Sequence, residues 1–256
     1  MSDEKSALYF DQHAKLYDES RPDYPNEIYD IIAKTVSENY RENWLEIGAG
    51  NGAASGQILA KLKPLNLTLL EPGENFIKVL REKFSKSNNI KFIQDTFEDF
   101  ATDEKFDAIL AATAWHWPDA KMKYPHAAKL LKTDGWLIIF RNYYDLADEN
   151  LNKKIDQLFA KYEGEISTET VHEKQLKKIS VAHDEVRGSG IFEIIREKTI
   201  EWTKTISAEN LINLYKTFQD SAKFGEQFFR EMRDLIDSNE VEERVMTDLV
   251  IARRKK

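Results

Sequence analysis

Cysteine is absent from the 256 residues, and proline and glycine are scarce, with 6 and 10 copies. Without cysteine the chain forms no disulfide, and thiolate zinc sites, iron-sulfur clusters and cysteine nucleophiles are all excluded. The low proline and glycine content excludes collagen-like and low-complexity classes. A composition of 41% hydrophobic and 32% charged residues therefore predicts a globular protein, and the length suits one α/β domain with an insertion.

Long apolar runs and net positive charge are also missing. No stretch reaches the roughly 18 uncharged apolar residues that a membrane span needs, and residues 1–10 lack the apolar centre of a signal peptide. We expect no membrane segment and a cytoplasmic location. The 37 basic and 45 acidic side chains give a formal net charge of -8, which opposes binding to a phosphate backbone. Nucleic acid is not an expected partner, and the sequence leaves the oligomeric state open.

Short apolar runs alternate with helical stretches from residue 43 onward, a pattern typical of a parallel sheet covered on both faces. The predicted strands are 44–47, 67–70, 90–94, 106–111, 136–141, 191–206 and 245–252. The predicted helices are 26–39, 52–63, 74–86, 120–132, 208–218 and 225–237, with a short turn near 97–103. Right-handed crossovers would make this a doubly wound, Rossmann-like α/β sheet.

A glycine-rich turn follows the first predicted strand, in the segment Glu46-Ile-Gly-Ala-Gly-Asn-Gly52. Gly48 and Gly50 can adopt positive φ and leave no Cβ in the way of a ligand, while the following helix offers unpaired N-H groups. Read as Gly48-x-Gly50-x-x-Ala53, the turn also satisfies the relaxed dinucleotide fingerprint. An oxidoreductase that uses NAD(P) or a flavin is therefore one alternative.

Two acidic residues bear on the choice of ligand. Glu71 closes the second strand 21 residues after Gly50, where a carboxylate can accept both hydroxyls of a ribose. This position serves NAD and S-adenosylmethionine equally. Glu46 is a charge inside the end of the first strand, and a buried acid needs a cationic partner. The ammonium group of S-adenosylmethionine would supply that partner, whereas NAD carries none and its pyrophosphate would be repelled.

Further candidates follow the later strands in the expected order. Asp95 lies just past the third strand, where it could accept from an adenine amino group, and Thr96 stands beside it. Thr113 follows the fourth strand, at the carboxyl end where open α/β sheets bind ligands. The loop Trp115-His-Trp-Pro118 comes next, and its two tryptophans are expected to face a ligand.

With these residues, the sequence resembles the class I S-adenosylmethionine-dependent methyltransferases, in particular the small-molecule group that includes trans-aconitate methyltransferase-like proteins. The matching segments are Glu46 to Gly52, Leu70-Glu-Pro-Gly73, Asp95, Asp134-Gly135 and Tyr17-x-x-x-Arg21-Pro-x-Tyr-Pro25. The resemblance covers residues 8–142 well and the remainder loosely. It implies a seven-stranded sheet whose last strand is antiparallel.

The resemblance also implies a role for individual residues. Gly48, Gly50 and Gly52 would lie under the methionine portion of S-adenosylmethionine, with Tyr17 and Arg21 closing over its carboxylate. Glu71 would hold the ribose, Pro72 and Gly73 would border the adenine, Asp95 and Thr96 would lie at its edge, and Thr113 would lie near the sulfonium.

The domain would then have four parts. These are an N-terminal cover and helix (1–40), a cofactor-binding core (41–142), a helix and lid insertion (143–190) and a C-terminal completion of the sheet (191–256). In the third part, a helical stripe around Leu151 and Ile155 precedes a polar, weakly periodic segment from Glu163 to Gly190, which we interpret as a mobile lid.

The acceptor decides which residues do the chemistry. For a carboxylate acceptor, already ionised at neutral pH, the useful groups are Arg141, Tyr143 and Tyr144 after the fifth strand. For a phenol, amine or enol, His116 is the candidate general base. The residues Trp115, Trp117 and His13 complete the predicted acceptor site. No metal is predicted, and two further alternatives are a protein that binds the adenosyl ligand without turnover and a methyltransferase acting on a macromolecule.

Overall fold

The computed structural model describes residues 20–21, 23–164, 169–218 and 223–255. Within them, seven strands form one sheet: β1 (Asn43–Ile47), β2 (Asn66–Leu70), β3 (Ile90–Ile93), β4 (Phe106–Ala112), β5 (Leu131–Leu146), β6 (Phe192–Ser207) and β7 (Glu240–Arg254). Their order is β3-β2-β1-β4-β5-β7-β6. The pairs from β3 to β5 are parallel, whereas β7 runs antiparallel to both β5 and β6. The predicted doubly wound sheet with an antiparallel last strand is confirmed.

Helices cover both faces of the sheet. They are α1 (Asn26–Thr35), α2 (Ala53–Gln57), α3 (Glu74–Lys83), α4 (Ala120–Leu130), α5 (Glu149–Glu163), α6 (Val171–Gly188), α7 (Ala208–Lys216) and α8 (Gly225–Asp234). Helix α2 continues as a π-helical turn from Ile58 to Leu62, which ends at Lys63 in the left-handed conformation with φ 51°. The predicted helix over 26–39 is shorter, because Val36 is already extended.

Apolar side chains on the two faces of the sheet form separate layers of the core. One layer packs α1, α2 and α3 against strand residues such as Leu69 and Ile138. The other packs α4 and α6 against Leu45, Ile109 and Leu137. Burial on both faces explains why β1, β2 and β4 consist of nearly continuous apolar residues. These three strands therefore hold the turns at their carboxyl ends in fixed positions.

A third apolar cluster lies beyond the end of β5 and joins α5, α7 and α8 through residues such as Ile155, Leu211 and Phe228. Strands β5 and β7 are much longer than the predicted 136–141 and 245–252, and they stay paired to Leu146 and Glu243. This extension carries the last residues of β5 past the edge of the parallel sheet. The space between it and the helices becomes the main cavity of the protein.

The segment predicted to be a polar, weakly periodic lid is a regular helix over much of its length. Helix α6 begins with a capping box in which Thr170 accepts from the N-H of Glu173 and the Glu173 carboxylate accepts from the N-H of Thr170. Only Ile179 and Val186 of this helix are buried, so its apolar stripe is too sparse to be recognised by periodicity. Motion of α6 as a lid stays a prediction.

Candidate active site

A cavity of about 810 Å³ opens at the carboxyl ends of β1, β2, β4 and β5. This is the edge at which open α/β sheets bind ligands. Of the predicted site residues, those lining it are Arg21, Gly48, Gly50, Glu71, Pro72, Asp95, Thr96, Thr113, His116, Trp117, Arg141, Tyr143 and Tyr144. The fold thus brings together residues that are up to 123 positions apart in the chain.

The turn after β1 requires glycine at two positions. Gly48 has φ +62°, and a Cβ there would lie 2.6 Å from the Cβ of Ala114. Gly50 has φ +54°, and the nearest atom to its Cβ position would be the carbonyl oxygen of Gly48 at 4.0 Å. The first glycine therefore lets the turn approach the loop after β4, while the second leaves its backbone open to the cavity.

Glu71 fixes this turn from the neighbouring strand end. Its Oε2 accepts from the N-H of Gly50 at 2.8 Å, and its Oε1 accepts from the N-H of Gly73 at 2.9 Å. Glu71 also lines the cavity, and a carboxylate can accept about four hydrogen bonds. Gly73 lies behind the cavity wall and contributes through this bond. Gly52 also lies behind the wall, where it packs against Phe84.

Glu46 is 1% exposed and accepts a 2.6 Å hydrogen bond from the hydroxyl of Ser55. Burial raises the pKa of Glu46 to about 8, against the smaller opposing effect of the Ser55 bond. The carboxyl is therefore largely protonated at neutral pH. It lines a small recess beside the main cavity, together with Arg21, Gly48 and Gly50. The carboxyl group of Glu46 and the guanidinium group of Arg21 thus face the same recess.

The side of the cavity formed by the loops after β2 and β3 is partly apolar. Pro72 and Phe76 line it, and Asp95 lies opposite with its Oδ1 accepting from the N-H of Thr96 at 2.9 Å. The hydroxyl of Thr96 contacts Asp99 at 2.9 Å. Apolar walls with carboxylates at the rim suit a flat heterocycle that carries an amino group.

Thr113 lies at the turn after β4 with a left-handed φ of 54°. Its hydroxyl contacts the hydroxyl of Tyr24 at 2.7 Å, and the Tyr24 ring packs edge-on against Phe140 with centroids 4.6 Å apart. The segment before α1 therefore reaches the floor of the cavity. Sequence reasoning missed Tyr24, although it lies inside the Tyr-x-x-x-Arg-Pro-x-Tyr-Pro segment.

The prediction that Trp115 faces a ligand is wrong. Its side chain is 5% exposed and packs on Phe97 and Tyr124 in the core. In the turn after β4, Trp115 packs into the core, while Ala114, His116 and Trp117 line the cavity. Two aromatic residues in one loop thus have different surroundings, which composition alone does not distinguish.

His116 lines the cavity, and its side chain is exposed to the space within it. Desolvation by the surrounding residues, followed by the positive charges of Arg141 and Arg21, lowers the pKa of His116 well below its ordinary value. Lys123 and Lys178 act in the same direction. The imidazole is therefore neutral at pH 7, and this part of the cavity is electropositive.

The insertion and the C-terminal half supply much of the remaining wall. Helix α6 contributes Val171, Lys174, Gln175 and Lys178, α5 contributes Ile155, Asp156, Phe159 and Glu163, and the C-terminal half contributes Leu211, Leu214, Tyr215, Phe218 and Glu243. None of these was a predicted site residue. The polar stretch from 163 to 190 gave the only signal, and it indicated a lid without indicating which side chains face inward. Tyr17 and His13 lie outside the described residues.

The chain resembles known proteins in sequence and in fold. Residues 45–135 match the family described as methyltransferase domain. The chain carries a methyltransferase domain. A Dictyostelium discoideum protein that bears a methyltransferase name is 27% identical over 84% of this chain and 78% of its own.

Two further matches bear on the chemistry. A malonyl-[acyl-carrier protein] O-methyltransferase of Ilyobacter polytropus is 29% identical over 52% of each chain. The N-methyltransferase NodS of Bradyrhizobium japonicum, solved with S-adenosyl-L-homocysteine, has the same fold with a TM-score of 0.50 and 12% identity, covering 90% of this chain and 86% of that one.

This protein is an S-adenosylmethionine-dependent methyltransferase. The finer resemblance to trans-aconitate methyltransferase-like proteins stays a prediction. In the described part of the chain, no helix of the methyltransferase is long and apolar enough to cross a membrane.

Proposed function

We propose that this methyltransferase methylates a carboxylate oxygen of a small-molecule acid. The observation that carries the proposal is the set of cations around the acceptor end of the cavity. Arg141, Lys174 and Lys178 line it. In the part of the chain that the structure describes, the Nε of Arg141 is buried without a hydrogen-bond partner. A buried donor without a partner is costly, and a carboxylate is the ligand that guanidinium groups bind best.

The residues at the other end fit the methionine part of S-adenosylmethionine. Glu46 and Arg21 face one recess. The Glu46 carboxyl, in its ionised form, can pair with an ammonium, and the Arg21 guanidinium can pair with a carboxylate. The main chain of Gly48 and Gly50 lies beside this recess without a Cβ. Glu71 has acceptor capacity for the ribose, and Asp95 lies at the adenine side. Thr113 then lies between this half and the acceptor half.

S-adenosylmethionine, when bound, supplies a methyl group activated by a sulfonium. The protein has to hold the acceptor oxygen in line with that group and to exclude water. Arg141 orients the carboxylate, while the aromatic walls from Trp117 and Tyr144 restrict the entry of water. Orientation is the main catalytic task, because a carboxylate at neutral pH is already deprotonated.

The state of His116 favours a carboxylate over a phenol or an amine. A general base works best when its pKa lies near the working pH, and the pKa of His116 lies well below that of a free histidine. A weakly basic imidazole removes a proton from a phenol or an ammonium inefficiently. We assign His116 to hydrogen bonding with the acceptor. The Ilyobacter relative named as an O-methyltransferase agrees with oxygen as the accepting atom.

Substitution of Arg141 tests the proposal. In Arg141→Ala, turnover of carboxylic acid acceptors should fall by at least tenfold, since the orienting cation is lost, while affinity for S-adenosylhomocysteine stays within about twofold. The measurement is methyl ester formation from a panel of acids with labelled S-adenosylmethionine, with calorimetry for the product cofactor.

Arg81→Ala serves as the matched control. Arg81 lies over the ring of Phe92, as Arg141 lies over the ring of Tyr143, but Arg81 does not line the cavity. Both variants should bind cofactor alike, and only Arg141→Ala should lose ester formation. Equal turnover by the two variants would remove Arg141 from the acceptor site. Labelling of phenols or amines with no labelling of acids would reject the carboxylate acceptor.

A further inference from the structure

The far end of the acceptor cavity contains a carboxyl group that the proposed reaction does not use. Glu243 on β7 lines the cavity although its side chain is 1% exposed. Its Oε1 has no hydrogen-bond partner among the described residues. A buried acid without a partner is costly to the fold, and such groups commonly mark a place where a ligand binds.

The neighbouring acids Asp145 and Asp156 differ from Glu243 because each makes an ion pair, whereas the charge of Lys204 only partly offsets the effect of burial on Glu243. Asp145 lies 2.5 Å from the guanidinium of Arg244, and Asp156 lies 3.9 Å from the ammonium of Lys174. Lys204 pairs with Glu243 across the strands in the backbone register, and its side chain is exposed. Glu243 is therefore the acid of this group that a cationic ligand would complete.

Strand geometry places this acid far from the reaction centre. Arg141 and Leu146 are five residues apart on β5, and Leu146 pairs with Glu243 on β7. At about 3.3 Å per residue, the two positions are about 16 Å apart along the strand, and the odd separation puts the two side chains on opposite faces of the β5-β7 pair. Both line the same cavity, so an acceptor reaching both would have to be elongated and able to bend.

The same cavity also has apolar side chains in its wall. They are Leu146, Ile155, Phe159, Leu211, Leu214 and Phe218. Such side chains favour a hydrocarbon segment, because apolar area removed from water contributes about 25 cal/mol per Å². The cavity thus combines a cation at Arg141, an acid at Glu243 and apolar side chains that can hold a hydrocarbon segment.

We infer that the acceptor is an elongated amino acid-like molecule, with the methylated carboxylate at Arg141 and an ammonium group at Glu243. Glu243 is then a specificity-determining residue. The inference rests on the proposed carboxylate acceptor and extends it to the opposite end of the molecule. Burial raises the pKa of Glu243 to about 7, and an arriving ammonium would favour its ionised form.

Calorimetry on the protein saturated with S-adenosylhomocysteine tests this assignment. The probes are straight-chain carboxylic acids of graded length, ending in either a methyl or an ammonium group, and the n-alkylamines without a carboxyl. At the best length the ammonium-ended acid should bind at least tenfold more tightly than the methyl-ended acid. Glu243→Gln should abolish this difference, whereas Glu242→Gln, an exposed neighbour on β7, should keep it.

The outcomes separate the two claims. Equal binding of the two acid series to the wild-type protein would overturn the role of Glu243 and leave the carboxylate proposal standing. If the alkylamines bind to the wild-type protein but not to Glu243→Gln, the ammonium site is supported even if no acid binds. In that case only the carboxylate proposal is rejected. Absence of binding by acids and amines alike would overturn the inference. Thermal unfolding of each variant confirms that it is folded.

Discussion

Glu71 shows how one side chain can organise a site before the ligand arrives. Its two oxygens accept from the N-H groups of Gly50 and Gly73, which belong to the turns after β1 and β2. Hydrogen bonds to a charged acceptor are worth more than neutral ones. The same carboxylate therefore positions two turns and lines the cavity where we propose that the ribose binds.

We expect Glu71→Ala to weaken binding of S-adenosylhomocysteine by at least tenfold, because both the ribose acceptor and the support of the two turns are lost. Glu71→Gln keeps one oxygen acceptor and should bind with intermediate affinity. Titration calorimetry measures both. Wild-type affinity in Glu71→Ala would exclude this residue from the cofactor site.

Glu46 makes the stability of the ligand-free protein depend on pH. Its pKa is about 8 in the folded protein and near 4.5 when unfolded, so between these values the folded state keeps a proton that the unfolded state has released. Stability that comes from this group is present below pH 4.5 and is lost as the pH rises to 8. As the pH rises from 4.5 to 8, the Tm of Glu46→Gln should therefore fall less than the Tm of the wild type, as measured by thermal unfolding without ligand. Parallel curves would show that Glu46 is already ionised.

The same variant tests the ammonium partner. Glu46→Gln should bind S-adenosylhomocysteine at least tenfold more weakly, since an amide cannot supply a negative charge. Ser55→Ala is the matched control, because it removes the 2.6 Å hydrogen bond and leaves the carboxyl in place. If both variants bind like the wild type, the ammonium lies elsewhere.

At the scale of single elements, α6 is the part of the fold that the sequence predicted least well. Its capping box, Thr170 and Glu173, lies at the start of the helix that carries Lys174 and Lys178 into the cavity. The helix is joined to β7 by His183, whose Nε2 lies 2.8 Å from the Oδ2 of Asp248. The position of the acceptor cations therefore depends on a few contacts at each end of one helix.

We expect Thr170→Ala to destabilise the first turn of α6 by about 1 kcal/mol. The KM for the acceptor should rise severalfold while affinity for S-adenosylhomocysteine stays unchanged, because α6 supplies no residue to the cofactor end. Asp119→Ala, which removes the cap of α4 outside the cavity, is the control and should change neither value. A loss of cofactor affinity in Thr170→Ala would show that the two ends of the cavity are coupled.

Much of the cavity lining that follows β1, β2, β4 and β5, Arg141 included, could be predicted from sequence, whereas the lining from α6 and β7 could not, for a physical reason. Gly48, Gly50 and Glu71 stand at the ends of apolar strands, where short-range pattern fixes both the element and the side of the sheet. Lys178 and Glu243 reach the cavity only because a sparse helix and an extended strand fold back over β5. Such placement depends on long-range packing, which neither periodicity nor spacing records.

At the scale of the whole molecule, cofactor binding should stabilise the fold. A ligand at a hundredfold its Kd contributes about 2.7 kcal/mol. For a chain of this size that corresponds to a rise in Tm of about 5 to 10 °C. We expect this rise with S-adenosylhomocysteine and none with NAD, as followed by thermal unfolding. A shift with NAD alone would favour the oxidoreductase alternative.

The hydroxyl pair of Tyr24 and Thr113 has a consequence for the timing of the catalytic cycle. It attaches the chain ahead of α1 to the turn where the two halves of the cavity meet. We expect product to leave along this side only when this attachment breaks. Departure of the spent cofactor would then compete with the chemical step as the slowest event, and the Tyr24–Thr113 contact would help to set the overall rate.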